Sequence, residues 1–109
     1  MEMEFIETPL FTKLVNKLLD DDEYRELQEV LIYRPNLGDV IQGTGGLRKI
    51  RWMRKGRGKR SGVRVIYYWL MDDEQILMLY IYPKSQQEEL TSEQKKTLKL
   101  IAKRWADEK

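Results

Sequence analysis

Cysteine and histidine are both absent from the 109 residues of this chain. Without cysteine there is no disulfide framework and no thiolate nucleophile. Without histidine, the commonest general base and the commonest metal ligand are missing together. The sequence therefore predicts neither a metal centre nor a cofactor, and it narrows any catalytic chemistry to lysine, arginine, tyrosine and carboxylates.

Long apolar runs are missing as well. No stretch approaches the ~20 apolar residues that a helix needs to cross a bilayer. The first five residues contain two glutamates and no lysine or arginine, unlike the start of a signal peptide. These features predict a cytoplasmic protein without a membrane partner. The length is typical of one domain covering residues 1–109, and a hydrophobic content of 41% is enough to build a core.

Carboxylates are missing from the middle of the chain. Between residues 40 and 71 there is no Asp or Glu, whereas residues 47–64 carry nine cations. The other 11 lysines and arginines face 18 carboxylates, a balance of −7, so the formal net charge of +2 conceals a basic segment in an otherwise acidic chain. Such a cluster repels itself, and the commonest reason for one is a polyanion bound against it. The alternative is a solvated basic hairpin.

Periodicity predicts an α+β fold, with a mainly antiparallel β-sheet, two N-terminal helices and one C-terminal helix. Strands are predicted at residues 1–6, 47–53, 63–71 and 75–82, with a tight turn at residues 72–74. The glycine-rich residues 38–46 predict a loop rather than a phosphate cradle, because they lead into a strand and not a helix. Since helices and strands segregate along the chain, we expect the helices on one face of the sheet. Capping signals predict helix starts at Thr8-Pro9, Asp20 with Glu23, and Thr91 with Gln94.

Alternation along the predicted strands places cations and aromatic rings on a shared face. Lys49 and Arg51 share one parity, opposite to that of Ile50 and Trp52. If the faces of the three strands coincide, one wall carries both types of side chain that single-stranded RNA requires, which are cations for phosphates and rings for unstacked bases. The alternative for the tyrosines is ordinary strand packing. The residues of this predicted wall are Lys49, Arg51, Arg64, Tyr68, Tyr82 and Lys84.

Three segments together resemble the RelE/HigB family of toxins from bacterial toxin–antitoxin pairs. They are Gly45-Gly46-Leu47-Arg48-Lys49-Ile50-Arg51, Gly62-Val63-Arg64-Val65-Ile66-Tyr67-Tyr68 and Ile81-Tyr82-Pro83-Lys84. The order of the predicted elements is also similar, so the resemblance covers almost the whole chain. It implies a ribosome-dependent endoribonuclease that cleaves mRNA in the ribosomal A site. It also implies a cognate antitoxin, a small helix-turn-helix protein, as a partner.

The resemblance also implies roles for individual residues. Some relatives carry a tyrosine near the start of the last helix, where this chain has Thr91, and an arginine where it has Ser85. A catalytic tyrosine must therefore come from elsewhere, such as Tyr82, and the identity of the general base stays open. The implied catalytic residues are Lys49, Arg51, Lys59, Arg64, Lys84 and Tyr82. From the basic segment and the predicted shared face, the expected RNA-binding residues are Arg48, Arg54, Lys55, Arg57, Arg60 and Tyr68.

The chemistry of RNA cleavage agrees with these residue types. Attack by the 2′-OH needs a base, an acid for the leaving oxygen, and positive charge beside the phosphorane. Arg64, always charged and fork-shaped, suits a phosphate oxygen, and a lysine crowded by like charges loses its proton more readily. Two other functions use the same surface: a non-catalytic RNA- or ribosome-binding module, and a protein that docks an acidic partner. For Arg64 itself, the alternative is an ion pair with Glu88 or Glu89 that only holds the closing segment.

Overall fold

The computed structural model describes residues 2–54 and 62–109, which form three helices and five strands in this range. In chain order the elements are β1 (Glu4–Glu7), α1 (Pro9–Leu18), α2 (Asp21–Tyr33), β2 (Asp39–Val40), β3 (Arg48–Trp52), β4 (Val63–Leu70), β5 (Gln75–Pro83) and α3 (Ser92–Asp107). This confirms the predicted α+β class, with two helices before the sheet and one after it. In the described part of the chain, no helix combines the length and apolar character that crossing a membrane requires.

All three predicted helix starts are confirmed by their capping hydrogen bonds. The Thr8 hydroxyl accepts from the backbone N–H of Phe11, and Pro9 takes the first helical position. Capping boxes, in which side chain and backbone bond reciprocally, form at Asp20–Glu23 and at Thr91–Gln94. Each box pairs two of the backbone N–H groups that a helix start leaves without partners.

The sheet is mixed, with the strand order β1-β5-β4-β3-β2. The predicted meander β3–β4–β5 is antiparallel throughout, whereas β1 pairs parallel with β5. The prediction of a loop over residues 38–46 is only partly correct. Asp39 and Val40 pair with β3 and form the short edge strand β2. The predicted tight turn at 72–74 is instead a 3₁₀ turn over Met71–Asp73, closed by Glu74 in the left-handed conformation at φ 53°.

The helices lie on both faces of the sheet, so the expectation of one covered face is wrong. Phe11 of α1 and Leu27 of α2 pack in one core cluster with Val65 of β4. Leu98 of α3 packs in a second cluster, with Ile66 of β4. The physical reason is visible in β5, where residues 76–82 are all apolar or aromatic, a composition typical of a strand buried on both faces.

A register shift in β5 decides which of its side chains face α3. Ile66 of β4 lies opposite Tyr80, but its neighbour Tyr67 lies opposite Met78, so Leu79 is an extra residue without a partner position. This β-bulge puts Leu79 and Tyr80 in the same cluster beside α3, although they are adjacent in sequence. Tyr82, two positions further on, belongs to that face too.

Candidate nucleic-acid interface

Strand pairing brings three of the predicted site residues into one row. Arg51 of β3 lies directly opposite Arg64 of β4, and Arg64 lies directly opposite Tyr82 of β5. In the next row Lys49 lies opposite Ile66, and Ile66 lies opposite Tyr80. We call Lys49, Arg51, Arg64, Tyr80 and Tyr82 the basic face.

Arg64 sits at the centre of the basic face and is buried. It is buried because β4 is the central strand of the sheet and Glu88 lies against the guanidinium. Its Nη2 lies 3.3 Å from Oε2 of Glu88, so the ion pair considered as the alternative role is present. No described residue accepts a hydrogen bond from its buried Nε.

Lys49 also forms an ion pair, with Glu89, the residue that follows Glu88. Its Nζ donates to Oε2 of Glu89 at 2.9 Å. This hydrogen bond and the charge of Lys49 lower the pKa of the Glu89 carboxyl. Glu89 is therefore ionised at neutral pH and places a negative charge beside Lys49.

Tyr82 is the buried phenol of the basic face. Its hydroxyl donates to the backbone carbonyl oxygen of Glu88 at 3.4 Å, and its ring centroid lies 5.3 Å from that of Tyr80. Burial raises the pKa of Tyr82 to about 12, helped by the charge of Glu89 and opposed by that of Arg64. Tyr82 is therefore protonated at pH 7, so this group is a proton donor and a poor base.

Other predicted residues lie at the margins of the basic face. Arg51 is exposed, and Lys84 is exposed just after β5, where its backbone N–H donates to the carbonyl of Gly62 at 2.9 Å. Tyr68 is half-buried and meets Trp105 of α3 edge-on, with 6.4 Å between ring centroids. Its ring is therefore partly covered by α3, although its role in RNA binding stays a prediction.

Arg48 lies on the opposite face of β3. It shares its parity with Ile50, which packs towards α1 and α2, and its Nη1 donates to the carbonyls of Asn36 and Gly38 at 3.1 and 2.8 Å. This geometry holds the connection before β2 and separates Arg48 from the basic face. Arg54 is half-buried. The other loop cations predicted for the site, Lys55, Arg57, Lys59 and Arg60, lie outside the described residues.

Tyr67 is a supporting residue that the sequence patterns did not single out for a task. Its hydroxyl donates to the carbonyl of Pro35 at 2.7 Å and accepts from the N–H of Gly38 at 2.8 Å. A Cβ at Gly38 would lie only 2.9 Å from the Tyr67 ring, so glycine is required for this approach. The bonds hold the connection before β2 against Tyr67 of β4, beside the backbone that carries Lys49.

The described side chains define a site of fixed positive charge. Two arginines and a lysine offer hydrogen bonds and charge to an anion, and the protonated phenol of Tyr82 adds a donor. In residues 2–54 and 62–109 no group of three metal-ligating side chains is arranged to hold an ion. Such a site can bind a phosphate group and stabilise additional negative charge on it.

Solved structures with this fold define the class of protein. A mutant of the E. coli toxin RelE in the free state matches with a TM-score of 0.57 and 16% identity, covering 81% of this chain and 90% of that chain. The archaeal RelE–RelB complex from Pyrococcus horikoshii matches with a TM-score of 0.50 and 28% identity, covering 80% and 100%. The intact E. coli RelBE toxin–antitoxin complex matches at 0.54 and 13%, covering 75% and 96%. The fold is thus that of RelE toxins.

The sequence itself matches the family described as RelE toxin of the RelE/RelB toxin–antitoxin system over residues 10–109. This match covers nearly the whole chain. The chain belongs to the RelE toxin family.

Proposed function

We propose that this protein is a ribosome-dependent mRNA endonuclease that inhibits translation by cleaving mRNA in the ribosomal A site, without a metal ion. The observation that carries the proposal is the row Arg51–Arg64–Tyr82 with Lys49 beside it. Two further points support it: membership of the RelE toxin family, and the surplus of cations in residues 47–64.

The basic face supplies charge stabilisation in the proposed reaction. Arg64 binds a non-bridging oxygen of the scissile phosphate, and Arg51 and Lys49 stabilise the charge that grows on the phosphorane. Tyr82 has a raised pKa and is protonated at neutral pH, so it is a candidate donor to the leaving 5′-oxygen, and Lys49 in the neighbouring row is a second candidate. Lys59 and Lys84 complete the proposed catalytic set.

The proton acceptor for the 2′-OH is the weakest part of this site. Tyr82 has a raised pKa and Lys49 is ion-paired, so neither is a good base in the free protein. Slow intrinsic chemistry is the consequence, and it fits an enzyme whose substrate is oriented by the ribosome, because positioning alone supplies a large rate factor. We therefore propose that free mRNA is a poor substrate.

Three partners belong to the proposal. Ribosomal RNA and mRNA bind the basic face and the cations of residues 54–60, in the cytoplasm. Two of the similar structures are complexes of a RelE toxin with its RelB antitoxin. We infer a cognate antitoxin for this chain, a small helix-turn-helix protein that silences it.

Induced expression in growing cells tests the proposed function. The wild-type chain should halt translation and leave mRNAs cut within codons, and co-expression of the antitoxin should restore growth. An Arg64→Met variant expressed at the same soluble level is the matched control and should leave transcripts intact. Arrested translation with intact transcripts would favour a non-catalytic ribosome-binding module, and normal growth with soluble wild-type protein would reject both readings.

A further inference from the structure

Two adjacent carboxylates occupy the cations of the basic face. Oε2 of Glu88 lies 3.3 Å from Nη2 of Arg64, and Oε2 of Glu89 lies 2.9 Å from Nζ of Lys49. Both glutamates belong to the connection between β5 and α3. One short segment thus neutralises two of the cations that the proposed function assigns to a phosphate.

The two sides of these ion pairs differ sharply in exposure. The side chains of Arg64 and Lys49 are 6% and 14% exposed, whereas those of Glu88 and Glu89 are 63% and 68% exposed. Both cations extend from paired strands of the sheet and are largely enclosed. The carboxylates are already largely hydrated, so they lose little when they rotate into water, and ion pairs with such exposed partners are weak.

The segment is anchored by contacts that do not involve the two carboxylates. The backbone carbonyl of Glu88 accepts from the hydroxyl of Tyr82, and the side-chain amide of Gln87 donates to the carbonyl of Glu89 at 2.8 Å. Gln87 also donates to Oε1 of Gln94 at 2.8 Å, and Leu90 is buried. The carboxylates can therefore leave the cations by side-chain rotation while the backbone stays in place.

We propose that Glu88 and Glu89 are built-in competitors of RNA phosphate, which hold Arg64 and Lys49 in the free protein and are displaced when RNA binds. The inference rests on the proposed function, because it assigns the same site to a phosphate. A carboxylate presents to Arg and Lys the same negative oxygens as a phosphate, with one charge and fewer acceptor oxygens. The ion pairs lower the affinity of the site for single anions. A polyanion that makes many contacts still displaces the two glutamates.

The opposite role for the glutamates makes an opposite prediction. If Glu88 and Glu89 acted by positioning the two cations for RNA, removing their charges would weaken binding. If they compete with phosphate, removing their charges strengthens it. The sign of one measured change therefore separates the two roles.

The experiment compares the double variant Glu88→Gln/Glu89→Gln with the wild type and with Glu29→Gln/Glu108→Gln. The control variant loses the same charge from exposed positions outside the basic face. Binding is measured by fluorescence anisotropy with a labelled 2′-O-methyl RNA, which cannot be cleaved, and melting temperatures are taken from the same preparations. We expect the site variant to bind about tenfold more tightly than the control variant, a change of about 1.4 kcal/mol.

Each other outcome has a distinct meaning. Equal affinities of the two double variants, or weaker binding by the site variant, would overturn the inference while leaving the proposed function standing, provided that the wild type binds RNA and cleaves mRNA on ribosomes. A wild type that neither binds the RNA nor cleaves would overturn the proposed function and the inference with it. The single variants Glu88→Gln and Glu89→Gln show whether both pairs contribute.

Discussion

Replacing Arg64 with methionine should separate cleavage from folding. Methionine keeps an unbranched chain of similar reach in the buried position between Arg51 and Tyr82, but it removes the charge and all N–H donors. A structural role of Arg64 and a role in binding phosphate therefore predict different results. The structural role predicts a loss of stability that explains any loss of activity.

The ion pair that methionine removes contributes little to stability. Glu88 is largely exposed, and such pairs are worth about 0–1 kcal/mol. Against this loss stands the desolvation of a buried guanidinium, whose replacement by an apolar side chain is often neutral or stabilising. We expect the free energy of unfolding to change by less than about 1 kcal/mol. The melting temperature should therefore shift by less than about 4–8 °C for a chain of this size.

The expected loss of cleavage is far larger. Removing one preorganised charge contact from a transition state costs about 2.7–4 kcal/mol, which is about 100- to 1,000-fold in rate. Arg64→Lys restores the charge without the two-pronged donor and should recover only part of this loss. Arg34→Met, at an exposed position beyond α2, removes the same charge and should change neither quantity.

The assay measures thermal melting and single-turnover cleavage of mRNA on programmed ribosomes, with the same preparation used for both. If Arg64→Met cleaved at the wild-type rate, the guanidinium would have no part in the reaction. If its activity fell only in proportion to the unfolded fraction, the ion pair with Glu88 would account for the residue.

Three further predictions concern charge, pH and packing. Ribosome binding should weaken with salt at a log–log slope of about −4 to −5 if about six phosphates are contacted, and a flat response would contradict the proposed basic interface. Tyr82 has a folded-state pKa of about 12, above the usual ~10, so its contribution to stability is present below pH 10 and is lost as the pH rises towards 12. The difference in tyrosinate absorbance between the wild type and Tyr82→Phe should titrate in that range. A midpoint near the usual ~10 would contradict burial of the phenol. Gly38→Ala should lower stability by about 1–3 kcal/mol, because its Cβ would lie 2.9 Å from the ring of Tyr67. An unchanged urea midpoint for Gly38→Ala would contradict this packing.

Local signals predicted the parts of this fold that depend on near neighbours. The helix caps at Thr8, Asp20 and Thr91 could be predicted from the sequence. Each capping residue bonds to a residue three positions further along the chain. The parity of Lys49 and Arg51 was readable because side chains alternate along a strand. These signals predicted a shared face for Lys49 and Arg51, whereas the position of Arg64 on that face depends on the strand pairing.

Long-range pairing decided what the sequence patterns left open. The parallel contact of β1 with β5 joins residues 71 positions apart, as between Glu4 and Gln75, and no local pattern encodes it. The extra residue Leu79 shifts parity within an apolar run, where alternation gives no signal. The burial of Arg64 depends on its place in the central strand β4 and on a contact with Glu88, which is 24 positions away in sequence.

The hydrogen bonding of Arg64 in the free protein supports the proposal that phosphate displaces the carboxylate beside it. Its Nη2 is paired, but no described residue accepts from its buried Nε, and a buried donor without an acceptor is costly. A phosphate group presents several oxygens and accepts from both nitrogens of such a fork at once. Glu88 offers Arg64 one described hydrogen bond from a largely exposed side chain, so the exchange gains acceptors for a cation that the sheet holds in place. In the proposed function, the cations of the sheet provide the affinity of the site for phosphate, and the two displaceable glutamates lower it.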